Sequence, residues 1–552
     1  MRTFFLLIMA LLLSACTRQT ETGFVYHNVN GYTLMDGKLH QFEALAVQSG
    51  KIITTGPADE ILDAYPDFER IDGEGNTLLP GLIDAHAHVM GLGIQELDVN
   101  VAGLESLAGT LQRVEEFASQ QADREWITGR GWNQVLWEEN EFPTASDLDE
   151  IVSDRPVFLT RIDGHAGWAN SKALELAGID RDTEDPNGGR IIRNSNGGAT
   201  GIFIDAAMSL IRNVIPEKTG QDYREAFRLA MGEMSKHGIT SVHDAGIDSQ
   251  TWQLYTNFAD NDSLITRIYA MISGTGSTFD ELSKDGPIES YADDMLALRS
   301  VKLYSDGALG SRGAAMLEDY SDDPGNRGLL FNTQEEMNEM LLKGASAGYQ
   351  MNVHAIGDAG NHQVLEGFKY VMNQLGGQCD LRHRIEHAQV VSLEDIPRFQ
   401  ELCLIASMQP THATSDMNMA EDRVGTERIQ GAYAWQRFLD QETVIAGGSD
   451  FPVEHVNPFY GLYSAVTRKD HEGRPPEGWY SEQAMSRMEA LRAFTIDAAY
   501  AGHQENVMGT LEPGKWADFI LIDRDFFEVP ASEIWQIEVL ETWVAGENVY
   551  KK

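Results

Sequence analysis

Two histidines one residue apart close an apolar run, Leu82-Ile83-Asp84-Ala85-His86-Ala87-His88. In a strand, residues i and i+2 point to the same side, so His86 and His88 aim together and can chelate one metal ion. Two further runs also end in histidine, Asn352-Val353-His354 and Arg384-Ile385-Glu386-His387. Another leads into Gly447-Gly448-Ser449-Asp450. Four imidazoles and a carboxylate, each closing a strand-like run, suit Zn²⁺ or a similar divalent ion. Such an ion activates water near neutral pH, and Asp450 is the carboxylate placed to take the proton as general base.

A repeating strand–helix unit must position these side chains. Eight strand-like runs alternate with helix-like segments: Leu82–His86, Ser241–Asp244, Arg267–Met271, Val301–Tyr304, Gln350–His354, Arg384–His387, Ile405–Met408 and Val444–Ala446. This pattern predicts an α/β fold, a (β/α)8 TIM-type barrel over 81–504, with the chemistry at its C-terminal mouth. The long gap after the first run predicts an insertion over 95–235, with its own strand at Pro156–Ile162. The insertion carries Trp126, Trp132, Trp137 and Trp168, which either pack a core of their own or roof the pocket. Short strands and turns over 23–80 and 505–552 predict a small β-sandwich domain formed by both chain ends.

The order of these elements resembles the amidohydrolase superfamily: His-x-His after strand one, Lys or Glu after strand four (the Lys place filled here by Lys302), His after five and six, Asp after eight. The wider text is similar to the branch that includes the N-substituted formamide deformylases. That text comprises Gly131-Trp132-Asn133-Gln134, Asp163-Gly164-His165, Lys302-Leu303-Tyr304-Ser305-Asp306-Gly307, Gln409-Pro410-Thr411-His412 and Gly448-Ser449-Asp450-Phe451-Pro452-Val453. Thr495-Ile496-Asp497-Ala498-Ala499 and Glu512-Pro513-Gly514-Lys515-Trp516-Ala517-Asp518 extend it toward the C-terminus.

The resemblance implies metal ligands at His86, His88, Lys302, His354, His387 and Asp450, and one or two divalent ions, with zinc first among them. It implies hydrolysis of a C–N bond other than a peptide bond, in an amide, N-substituted formamide or cyclic amide. A lysine ammonium offers donors only and cannot ligate a metal. The family's answer is a CO₂-derived carbamate, here on Lys302, bridging two ions. The other reading of Lys302 pairs it with an acid such as Asp306 or with a substrate carboxylate. His165, His243 and His412 fall at strand or loop ends near the mouth and are either substrate contacts or structural residues. Deamination of a nitrogen heterocycle is the alternative reaction. Lys302 and the lack of a Glu in His354-Ala355-Ile356-Gly357-Asp358 count against it. A metal- or solute-binding lipoprotein without turnover is a third reading, opposed by the full set of six expected ligand positions.

Charge narrows the partners. Against 42 Lys+Arg stand 85 Asp+Glu, a net charge of −43. Such a surface repels nucleic acid and anionic headgroups, and the resemblance implies a small amide-type molecule as the partner. At the N-terminus, Arg2 precedes the apolar run Phe4–Leu13 and then Ser14-Ala15-Cys16. The run is too short to span a bilayer and reads as a signal peptide over 1–15. Leu13-Ser14-Ala15-Cys16 looks like a bacterial lipobox. The expectation is an exported chain, acylated on Cys16, tethered by 17–22 and touching the membrane of a bacterial envelope only through its lipid. The other two cysteines, Cys379 and Cys403, form either one disulfide at the bottom of the barrel or two buried thiols.

Overall fold

A computed structural model describes residues 23–552 apart from positions 36, 139, 163 and 378. The expected signal peptide, lipobox Cys16 and tether, together with Asp163, lie outside the described residues.

Eight parallel strands form the centre: β1 (Leu82–Ala87), β2 (Ile239–Ile247), β3 (Arg267–Ser273), β4 (Leu296–Tyr304), β5 (Gln350–Ala355), β6 (Arg384–His387), β7 (Ile405–Met408) and β8 (Ile445–Gly447). Hydrogen-bonded neighbours run in sequence order from β1 to β8, giving a nearly closed barrel. β4 begins five residues before the predicted run, because Leu296–Leu298 pair with Ile268–Ala270 of β3. Strand alternation sorts the side chains. Val301, Leu303, Met351, Val353 and Ile385 join the large apolar cluster. Ser300, Lys302, Asn352, Arg384 and Glu386 alternate with them in sequence and are also buried.

The seam between β8 and β1 closes through the loop that carries Asp450. Asp450 N–H donates to His86 O and His88 N–H to Phe451 O, both at 2.8 Å. The Asp84 carboxylate accepts from Ser449 Oγ at 2.6 Å, and from the backbone N–H groups of His86 and Ser449 at 3.1 Å. Gly448 permits this approach, since a Cβ there would lie 2.7 Å from His86 N and 2.8 Å from the Asp84 carboxylate.

Between β1 and β2 the chain leaves the mouth through α1 (Val89–Glu96) and returns through α2 (Gly220–Lys236). A capping box at Thr219 and Asp222 starts α2. Between the two helices lies a six-stranded sheet of its own, including Ile127–Trp132, Val157–Arg161 and Ala199–Asp205. Trp132, Trp137 and Trp168 are buried in one cluster, with ring centroids 6.1–6.4 Å apart. Trp126 packs into a second cluster of the same insertion. These tryptophans are therefore the insertion's core; they do not roof the pocket.

The chain ends build one further sheet of eight strands, among them Phe24–Met35, Lys38–Gln48, Phe519–Ile522 and Val539–Val544. Two strands separate Phe24–Met35 from Val539–Val544 in its hydrogen-bonded order. Neighbouring strands lie about 4.8 Å apart, so a flat sheet would hold these two well separated. Phe24 and Trp543 nevertheless approach to 5.2 Å between ring centroids, so the sheet folds over its own apolar core. A buried bidentate pair, Arg267 with Asp518 at 2.7 and 3.0 Å, ties this sheet to β3. Cys379 and Cys403 form a disulfide, their Cα atoms 5.4 Å apart, just before β6 and β7. Both residues are exposed, which removes the buried-thiol alternative. Among the described residues no helix is long and apolar enough to cross a membrane.

Candidate metal centre

Strand ends bring the chemistry together at the barrel mouth. His86 Nε2 and His88 Nε2 lie 3.5 and 3.2 Å from Asp450 Oδ1. One ligand atom from each of His86, His88 and Asp450 fits within 4.8 Å, spacing that can hold a metal ion. A second such group is His387, His412 and Asp450. The His387 ring lies 4.8 Å from that of His86 and 4.6 Å from that of His354, centroid to centroid. Lys302 Nζ sits 3.1 Å from His86 Nε2. The structure thus gathers His86, His88, Lys302, His354, His387, His412 and Asp450 into one pocket.

Backbone conformation does part of the aiming. Asp450 and His387 adopt φ of 63° and 73°, left-handed values that cost a non-glycine residue and cluster at functional sites. His387 comes directly after Glu386 in β6, and its turned backbone brings its ring into the pocket as well. Its Nδ1 bonds Gln409 Oε1 at 2.7 Å, which leaves Nε2 for the pocket. His354 lies across from Tyr304 in the β4–β5 ladder.

Electrostatics prepare these groups as ligands. Burial, and then the Lys302 charge, lower the His86 imidazole to about 4 and the His354 imidazole to about 3. Burial and the neighbouring His354 and His86 hold His387 well below its ordinary value. All three are neutral near pH 7, the form that binds metal. Burial would raise the Asp450 carboxyl, but a hydrogen bond from His88 and the charges of His86, His387 and His412 hold it well below the usual carboxylate range. Burial lowers the Lys302 ammonium to about 8, partly offset by Glu386 and Asp450. Asp306 does not pair with Lys302: its carboxylate accepts from the backbone N–H groups of Ala315, Ile356 and Gly357 at 2.8–3.0 Å.

The donor set fits a divalent ion. His354 Nε2 and His412 Nε2 are buried and make no hydrogen bond within the protein. Neutral imidazoles and a carboxylate turned toward each other in this way suit zinc and its neighbours.

Of the three expected substrate histidines, one, His243, is placed elsewhere. His165 lies in the insertion, largely exposed, with Nδ1 2.7 Å from Asp205 Oδ1. His243 is fully buried inside the barrel, with Nδ1 2.8 Å from Arg384 Nη1 and its ring 4.9 Å from Tyr269. His412 reaches the pocket, its Nε2 3.7 Å from Asp450 Oδ2. Sequence reasoning missed Glu386 and Arg384. Glu386 Oε2 contacts His86 Nδ1, and Arg384 pairs with Glu386 at 2.8 Å. The alternation Arg384-Ile385-Glu386, with both charges on the inward phase of a strand that ends in a candidate ligand, was the available signal.

Fold and site together define a metal-dependent hydrolase on a (β/α)8 barrel. The chain belongs to the amidohydrolase family, whose profile matches residues 69–550. It is 33% identical to Protein LONG AFTER FAR-RED 3 of Arabidopsis thaliana, over 93% of this chain and 89% of that protein. It is 27% identical to the N-substituted formamide deformylase of Arthrobacter pascens, over 92% of this chain and 95% of that enzyme. An uncharacterized metal-dependent hydrolase from Pyrococcus horikoshii OT3 superposes with a TM-score of 0.72 at 27% identity, covering 92% of this chain and 99% of that one.

Proposed function

We propose that this hydrolase cleaves a C–N bond outside peptides, with N-substituted formamides as the first substrate class and other amides and cyclic amides behind them. The observation that carries this reading is the convergence of His86 Nε2, His88 Nε2 and the Asp450 carboxylate in one buried pocket. The likeness to the formamide deformylase over nearly the whole chain supports the substrate class. So does the rim of the pocket. Tyr304, Leu329, Phe331 and Val453 are exposed apolar side chains. Phe331 N–H donates to Ser305 O at 2.8 Å, which sets its segment beside the mouth end of β4. An apolar substituent on the substrate nitrogen would cover such a surface.

The ligands in this reading are His86, His88, His354, His387, Asp450 and a CO₂-derived carbamate on Lys302, with zinc as the ion. A divalent ion held there supplies Lewis acidity and lowers the pKa of water to about 7. Asp450, ionised between His88 and His412, takes the proton of the attacking water on a carboxylate oxygen and passes it to the leaving nitrogen. His412, whose Nε2 lies 3.7 Å from Asp450 Oδ2, is the side chain assigned in this reading to stabilise the negative charge that grows on the carbonyl oxygen. We further propose that the enzyme works outside the cytoplasm, held to an envelope membrane by lipid on Cys16. The Cys379–Cys403 disulfide supports this, since such bonds persist in oxidising compartments.

The test is turnover by zinc-loaded protein on N-substituted formamides, cyclic amides, esters and amino-heterocycles, with and without a chelator. Release of formate and amine, abolished by the chelator, is the expected result. Ammonia from an amino-heterocycle would replace this reading with deamination. Tight ligand binding without any turnover would replace it with a binding role.

A further inference from the structure

We propose that His243 and Arg384 are positioning residues for the metal centre, acting through Glu386 to fix the tautomer and the aim of His86. The inference rests on reading His86 as a metal ligand.

The interior of a (β/α)8 barrel is ordinarily filled by branched apolar side chains. Beneath His86 this one is polar. His86, His243, Arg384 and Glu386 are each 0% exposed. An ionised carboxylate accepts and cannot donate, so the contact between Glu386 Oε2 and His86 Nδ1 places the ring proton on Nδ1. Nε2 is then left with its lone pair, and it is the atom that faces Lys302 Nζ and Asp450 Oδ1. A carboxylate behind a metal-binding imidazole sets ring orientation and raises ligand basicity.

Glu386 does not stand alone. Arg384 Nε lies 2.8 Å from its Oε1, and Arg384 Nη2 donates to its Oε2 at 3.1 Å. The same guanidinium donates to Ala85 O in β1 and to Ser407 Oγ in β7, and its Nη1 reaches His243 Nδ1 in β2 at 2.8 Å. One side chain therefore ties β1, β2 and β7 to its own β6. A guanidinium has no acceptor, so His243 Nδ1 must accept, which fixes His243 as the Nε2–H tautomer. Its ring is held from below. A Cβ on Gly502 would lie 2.8 Å from His243 Nε2, so the chain passes there only as glycine. In the order His243, Arg384, Glu386, His86 each link pairs a donor with an acceptor: Arg384 is held between His243 and Glu386, and Glu386 in turn fixes His86.

The experiment measures zinc dissociation from the full chain by competition with a chromophoric chelator, for wild type, Arg384→Met, His243→Leu and His243→Asn. Thermal midpoints of the metal-free forms are recorded alongside. Loss of an outer partner of a metal-binding histidine costs roughly 10–100-fold in metal affinity, and that loss is expected for Arg384→Met and His243→Leu. The amide oxygen of His243→Asn keeps an acceptor near the Nδ1 position and should recover most of it. Ring ¹⁵N shifts of His86 should report the Nδ1–H tautomer in wild type and lose it in Arg384→Met, where Glu386 no longer has the guanidinium that holds it. A purely structural role would lower thermal midpoints while leaving zinc affinity and the His86 tautomer unchanged, and that result overturns the inference. If Arg384→Met does not fold, the His243 pair decides alone. A wild-type chain that binds no zinc overturns the reading of the centre itself, which the wild-type measurement separates from failure of the chain beneath it.

Discussion

Replacing Lys302 by Met in the metal-free, CO₂-free protein should stabilise it at pH 7 and cease to do so at high pH. Lys302 is 1% exposed, and burial lowers its ammonium from 10.5 to about 8. A shift of that size corresponds to about 3 kcal/mol held against the charged form. The sign follows from proton counting. Between about pH 8 and 10.5 the unfolded chain binds a proton on this amine that the folded chain has released, so wild-type stability rises with pH across that window. The methionine variant lacks the rise. Urea unfolding of both proteins with chelator present should show the variant ahead by about 3 kcal/mol at pH 7, with most of the gap closed by pH 10.5. The same shift leaves about one amine in ten neutral at pH 7, against about one in three thousand for an ordinary lysine. That neutral fraction is what CO₂ must capture to make a carbamate. A stability gap that ignores pH would refute the argument and remove the physical basis for carbamate formation.

Asp450→Asn should retain most of its metal yet lose roughly 10²–10⁴-fold in kcat, because the amide cannot carry the proton; unchanged kcat would remove Asp450 as general base. His412→Gln should keep wild-type metal content while kcat/KM falls about 10²–10³-fold, as for loss of an oxyanion donor. A drop of one ion per chain would instead place His412 among the ligands, beside His387 and Asp450. Reducing the Cys379–Cys403 bond opens a loop with a sequence separation of 24 and should cost about 3 kcal/mol. Cys379→Ser checks this as an equal loss in unfolding free energy that reductant no longer changes.

The cluster of His86, His88 and Asp450 was legible because each stands at or just beyond the end of a strand. Strand phase puts His86 and His88 on one side, and strand-like runs of three to five residues mark where the strands lie. Depth inside the barrel was not legible. His243 has the right phase, but which end of the barrel a side chain faces depends on the stagger between strands, which no single strand encodes. Its pairing with Arg384 in β6, far away in sequence, draws the ring inward. Glu386 and Arg384 escaped notice because charged residues read as exposed in a sequence, and only their mutual pairing makes burial tolerable. His165 sits at a loop end, and whether that loop reaches the mouth depends on how the insertion's sheet packs. The four tryptophans fit a roof or a core equally well until Trp132, Trp137 and Trp168 are seen against one another. The disulfide, too, needed the neighbouring placement of β6 and β7.

The most direct test of the account is a crystal structure of the zinc-loaded enzyme, with anomalous scattering recorded at the zinc edge. The account predicts anomalous peaks at coordinating distance, about 2.0–2.2 Å, from His86 Nε2, His88 Nε2 and an Asp450 oxygen. Those peaks should vanish in His86→Ala together with turnover. A pocket without a peak in a protein that still hydrolyses its substrate after metal removal would contradict it.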